Sequence, residues 1–285
     1  MNPGIFLFSL GVIWIIFAAI EDIKHREIAN WLNYSLIVFA LGFRFFYSLF
    51  SFGNFSYFFQ GLLGLGIFFL LGSLFYYSKM FAGGDYYLLF ALGAVLPIYN
   101  NTFANLAFLF SFIFIFLLVG VIYGIIFSII LGLKGFSKLK KKFKKQFKKN
   151  KLLIIILTTL GIILLLGSFF FKSLFYLAIF VVFMAYFYLF IKSVDESFMV
   201  LSVKTKNLTV GDWLYKNVKI GKKLIKARWE GLNEDEIKSL QRKKNVLIHI
   251  GIQFAPVFLI SFLLLFALLF FGVIHFPGFF LSIKI

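Results

Sequence analysis

The feature that most constrains this chain is a repeated one: apolar runs close to the length of a bilayer crossing, with almost no charge inside them. They cover residues 3–20, 31–50, 57–78, 86–99, 103–133, 152–171, 173–191 and 249–272. About 20 helical residues cross a hydrocarbon core roughly 30 Å thick. A helix packed in a soluble protein keeps a polar face for water, and these runs have none. Composition agrees, with 62% hydrophobic and 14% charged residues, against roughly 45–50% and 25% in soluble domains. The expected fold class is an all-α polytopic membrane protein of about eight transmembrane helices (six to eight), with a small cytoplasmic domain before the last helix. The run at 86–99 is short for a span. The first run lacks the basic leader and small-residue cleavage pattern of a signal peptide, so it is expected to remain as a span.

Lysine and arginine beside a span are retained on the cytoplasmic side, so their placement sets orientation. With eight spans and both ends of the chain outside, all of the 29 basic residues except Arg44, Lys172 and Lys284 fall inside. Every Asp and Glu also falls inside, which says where charged chemistry can occur. The segments expected are an N-terminal membrane core at 1–133, a basic cytoplasmic loop at 134–151, and additional spans at 152–192. A small cytoplasmic domain at 193–247 and a C-terminal helix with its tail at 248–285 complete the chain. The net charge of +18 does not call for a nucleic-acid partner. Ten lysines of the 134–151 loop, interleaved with Phe136, Phe143 and Phe147, instead suit an amphipathic stretch on anionic membrane lipids. Within 193–247, Asn233 followed by Glu236 reads as a capped helix start running to Leu240. Pro256, inside the last run, is expected to kink or break that helix.

No cysteine is present, which excludes thiolate nucleophiles, disulfides and cysteine-based zinc sites. His25, His249 and His275 are too scattered for a metal site, so neither metal nor cofactor is expected. Ionisable residues at span ends are functional candidates, and two carboxylates qualify. Asp22 follows the first run directly. Asp85 opens the fourth, preceded by Gly83 and Gly84. Both lie at cytoplasmic helix ends, so packing of the first span on the fourth would bring them together. Two carboxylates in one site share a proton instead of both ionising, and such a pair can activate water and protonate a leaving amine. Glycines before Asp85 allow an extended substrate backbone to come close. On spacing alone the plainer reading stays open: a turn with a carboxylate favoured by the helix dipole, and an interfacial charge at Asp22.

Several separated motifs then carry a resemblance. Asp22, Arg26, Ile28, Asn30 and Leu32 form the pattern D-x-x-x-R-x-I-x-N-x-L, which resembles the first aspartate motif of prepilin peptidases. Gly83, Gly84 and Asp85 resemble the second motif of the same GxGD membrane aspartyl proteases. Gly231-Leu232, Gly251-Ile252 and Phe254-Ala255-Pro256-Val257 are similar to the end of archaeal preflagellin and prepilin peptidases. Ala82 stands where the pattern has glycine, and Tyr87 where many relatives carry lysine.

The resemblance implies Asp22 and Asp85 as the catalytic pair, with Gly83 and Gly84 positioning substrate. It implies a multi-pass cell-membrane enzyme, archaeal in type, whose partners are prepilin or preflagellin (archaellin) precursors. Their short basic leader would be cut at the cytoplasmic face, and Glu21 and Glu27 are candidates to attract it. The alternative for those glutamates is pairing with Lys24 and Arg26. Bacterial relatives with a tetracysteine zinc element also methylate the new N-terminus, and a chain without cysteine is expected to be a peptidase only. Two other classes compete. An intramembrane GxGD protease of the presenilin or signal peptide peptidase type would hold its first aspartate deep in a span. A non-enzymatic transporter or assembly protein would show internal repeats or mid-bilayer charges.

Overall fold

The computed structural model describes residues 3–52, 55–99, 101–221, 223–241 and 243–273. Ten helices occur among them, from α1 (Pro3–His25) and α2 (Asn30–Tyr47) through α3 (Ser56–Tyr77), α4 (Gly83–Val95) and α5 (Thr102–Lys134). Then come α6 (Phe136–Lys149), α7 (Lys151–Gly167), α8 (Ser173–Val194), α9 (Glu234–Leu240) and α10 (Ala255–Phe270). The chain is an all-α polytopic membrane protein with a small domain near its C-terminus. Five helical segments have the length and apolarity of a crossing: Pro3–His25, Asn30–Phe50, Ser56–Tyr77, Thr102–Lys134 and Ser173–Met199. The pair α6 and α7, bent by 80°, adds a sixth if counted as one span. The expected eight are reached only with α4, of 13 residues, and α10, of 16.

Two compact units share the chain, one of residues 1–124 with 251–285, the other of 125–250. In the first, α1 to α4, the first part of α5 and α10 surround a core of Leu, Ala and Phe side chains that includes Leu36, Leu89, Phe112 and Phe262. Lipid supplies no hydrophobic drive between helices, so their packing relies on close approach at small residues. Gly64 of α3 and Gly93 of α4 show this: a Cβ at Gly64 would lie 2.4 Å from the Gly93 carbonyl oxygen.

Arg44, which as a sequence feature marks only a charge near a span end, is fully buried on α2. Its guanidinium donates to the carbonyls of Ala94 at 2.7 Å, Val95 at 3.2 Å and Tyr57 at 3.0 Å, and also to Pro97. The last carbonyls of any helix lack intrahelical donors and carry partial negative charge. Arg44 therefore caps the C-terminal end of α4, with its guanidinium also 4.5 Å from the centre of the Tyr57 ring. At the same end, Asn105 bonds the backbone of Tyr99 and the side chain of Gln60, which in turn donates to Thr102.

The second unit holds an α7–α8 hairpin, α6, and a small domain with five strands. β1 (Val200–Lys204), β5 (Asn245–His249) and β2 (Trp213–Leu214) form an antiparallel sheet in the order β1-β5-β2, and β3 (Val218–Ile220) pairs with β4 (Lys223–Ile225). Leu214, Ile225, Leu232, Leu240, Val246 and Ile248 make its core. The capped helix expected at Asn233 is present, with Asn233 accepting from Glu236 N at 2.9 Å and Glu236 accepting from Asn233 N at 3.2 Å. One expectation is corrected. The last apolar run is not helical from residue 249: His249 closes strand β5, residues 250–254 are irregular, and α10 starts only at Ala255. Pro256 lies in the first turn of that helix, where its missing N–H would have no partner in any case, so it starts the helix and does not break it. His275 and the tail beyond Val273 lie outside the described residues.

Candidate active site

Four helix ends meet in the first unit: the last turn of α1, the start of α2, the α3–α4 turn and the start of α10. Asp22, on the last turns of α1, is only 6% exposed. Its Oδ2 accepts the backbone N–H of Ala255 at 2.8 Å. The first N–H groups of a helix have no intrahelical acceptor and favour a negative charge, so α10 supplies what a buried carboxylate needs. Arg26, directly after α1, adopts the left-handed backbone region (φ 60°) and reaches Gly251 O with its guanidinium at 3.5 Å.

Asp85 is the third residue of α4 and is half-buried. Its Oδ2 accepts the N–H of Ala82 at 3.3 Å, so the acid also caps its own helix. The turn before it is fixed by Lys79 (φ 64°), with Met80 N bonded to Phe75 O at 2.9 Å and Lys79 N to Tyr76 O at 3.0 Å. That 6→1 and 5→2 pairing ends α3 cleanly and sends the chain back into α4. Gly84 draws the two motifs together: a Cβ there would stand 3.1 Å from Ile28 Cβ and 3.3 Å from Ile28 N. The carboxylates of Asp22 and Asp85 are near enough to interact electrostatically.

The other expected site residues divide. Gly83 has open space where a side chain would go. Glu21 accepts the N–H of Ala29 at 3.0 Å and so holds the start of α2. Glu27 is exposed, and among the described residues neither glutamate forms an ion pair with Lys24 or Arg26. Tyr87 packs its ring 5.5 Å from Tyr34 and 4.8 Å from Tyr86. With exposed Trp31 and Tyr77 these rings lie at the same helix ends as the acids, as side chains of a membrane–water boundary do.

Sequence reasoning missed the N–H of Ala255, since a backbone donor leaves no trace in residue identity. Pro256 was the available signal, because proline favours the first turn of a helix. Tyr123 of α5 was also missed. It lies near enough to Asp22 to interact with it electrostatically, one turn beyond Gly120, whose Cβ position is 3.1 Å from the Phe254 ring.

Residues 9–132 match the model of the type IV leader peptidase family. Asp22, Gly83, Gly84 and Asp85 all fall within the matched region. A preflagellin peptidase of Methanocaldococcus jannaschii is 34% identical over 93 residues, covering 33% of this chain. The match spans 39% of that relative's own length. No solved structure matches the chain.

Proposed function

We propose that this chain is a membrane aspartic endopeptidase that removes the short basic leader from prepilin-like or preflagellin precursors at the cytoplasmic membrane face. The observation that carries the reading is that Asp22, on the last turns of α1, and Asp85, at the start of α4, lie near enough to interact electrostatically, inside the region that matches the leader peptidase family model. Two carboxyls in such poorly hydrated surroundings share one proton at little cost, whereas two negative charges repel. In the reaction, the ionised carboxylate takes a proton from water as its oxygen attacks the scissile carbonyl. The protonated partner gives its proton to the departing amide nitrogen, and the C–N bond breaks.

Other features suit the substrate. Open space at Gly83 leaves room for an extended peptide backbone beside Asp85. The exposed carboxylate of Glu27 can attract a basic leader, while Glu21 is committed to the α2 start. The lysine-rich α6 suits contact with anionic lipids.

The test is cleavage of a precursor bearing a basic leader and an apolar helix, added to the chain in lipid vesicles and followed by mass spectrometry. Loss of the leader by wild type is expected, with Asp22→Asn and Asp85→Asn each reducing the rate by about a thousandfold or more while still inserting. Undiminished cleavage by either variant would refute the reading.

A further inference from the structure

Asn33 of α2 is 1% exposed, and among the described residues neither its Nδ2 nor its Oδ1 has a hydrogen-bond partner. Leaving a buried amide bare is costly, and a leucine of similar size would avoid that cost. Its position in the bundle gives a reason. Asn33 and Arg44 are 11 residues apart, about three helical turns, so they project from the same face of α2. Arg44 reaches the end of α4 at Ala94 and Val95, so Asn33 also faces α4.

The level follows from contacts on either side. Ile28 lies against Gly84 and the Tyr34 ring against Tyr87, which sets Asn33 within about a turn of Asp85. On the other side, Glu21 bonds Ala29 N and Trp14 bonds Ser35 Oγ at 2.9 Å. That antiparallel register sets Asn33 about one and a half turns, roughly 8 Å, from the level of Asp22. Helical side chains lean toward the N-terminus of their own helix. Asn33 therefore leans toward the end where the acids sit, and Asp22 leans down α1 toward Asn33.

We propose that Asn33 is a positioning residue of the aspartate pair, its amide donating to one carboxyl and accepting from the other, directly or through one water, when substrate is engaged. An amide suits this task because it offers donor and acceptor from one rigid plane and carries no charge of its own to disturb the pair. The proposal rests on the aspartic peptidase reading above.

The experiment measures kcat and KM for a leader-bearing precursor with Asn33→Leu, Asn33→Ala and Asn33→Ser in vesicles, beside Asp22→Asn and Asp85→Asn, with thermal melting of each. Both apolar variants are expected to lose kcat by at least about tenfold at unchanged KM, without a lower Tm for Asn33→Leu. Asn33→Ser, which keeps a donor and acceptor, is expected to stay within about threefold of wild type. Should Asn33→Leu fail to insert, Asn33→Ala decides. Wild-type kcat in Asn33→Ala, or a serine variant as impaired as the alanine one, overturns the assignment. If the aspartate variants are inactive while Asn33→Ala is fully active, only the Asn33 role falls. If the aspartate variants cleave normally, the parent reading falls and takes this one with it.

Discussion

At the scale of single residues, the two glycines before Asp85 do different things, although the sequence gives them the same letter. Gly84 is required by the close approach of Ile28, whereas Gly83 faces open space. Gly84→Ala is therefore expected to press on Ile28, shift the start of α4 from the α1–α2 turn by a few tenths of an ångström and lower kcat severalfold, since reacting groups are sensitive to small misplacements. Gly83→Ala is expected to leave kcat intact and raise KM, because a methyl there meets only the incoming peptide. Steady-state kinetics on both variants checks this, and equal effects on kcat would remove the distinction. The aspartates themselves were legible, because a carboxylate bordering a run of apolar residues stands out. Their anchoring was not, because the Ala255 and Ala82 donors are backbone groups that any residue but proline supplies.

At the scale of elements, α4 explains how a helix of 13 residues survives among longer ones. Asp85 meets its positive end, Arg44 its negative end, and Gly64 lets α3 lie against it. Arg44→Met is expected to destabilise the fold by about 3 kcal/mol, as several buried carbonyls lose a charged donor. Denaturation in detergent measures it, and a change below about 1 kcal/mol would deny Arg44 the capping role. Arg44→Lys is expected to recover little, since an ammonium cannot reproduce a planar fork that reaches four carbonyls. Here the apolar runs located the helices, and the cap at Asn233 was readable from residue types alone. Two things were not. A charge inside an apolar run looks like a span end whether it faces water or carbonyls. Apolar segments such as 249–254 do not reveal by periodicity whether they are helical, so the last run was read as helix about six residues too early.

At the scale of the molecule, the chain returns to its first unit only after residue 250, and that return delivers the N-terminus of α10 to Asp22. The long excursion between contains the lysine helix and a β-rich domain that hydropathy could place but not describe, since its strands are two to five residues long. The central claim is that acids separated along the sequence meet at one membrane edge, and the absence of cysteine from the chain makes it directly measurable. Asp22→Cys with Asp85→Cys, treated in membranes with a short bifunctional thiol reagent, is read by intact-protein mass spectrometry. A control pairs Asp22→Cys with Phe103→Cys at the start of α5. One reagent bridging both thiols in the Asp22/Asp85 pair but not in the control is the predicted result, and two singly modified thiols in both proteins would contradict it.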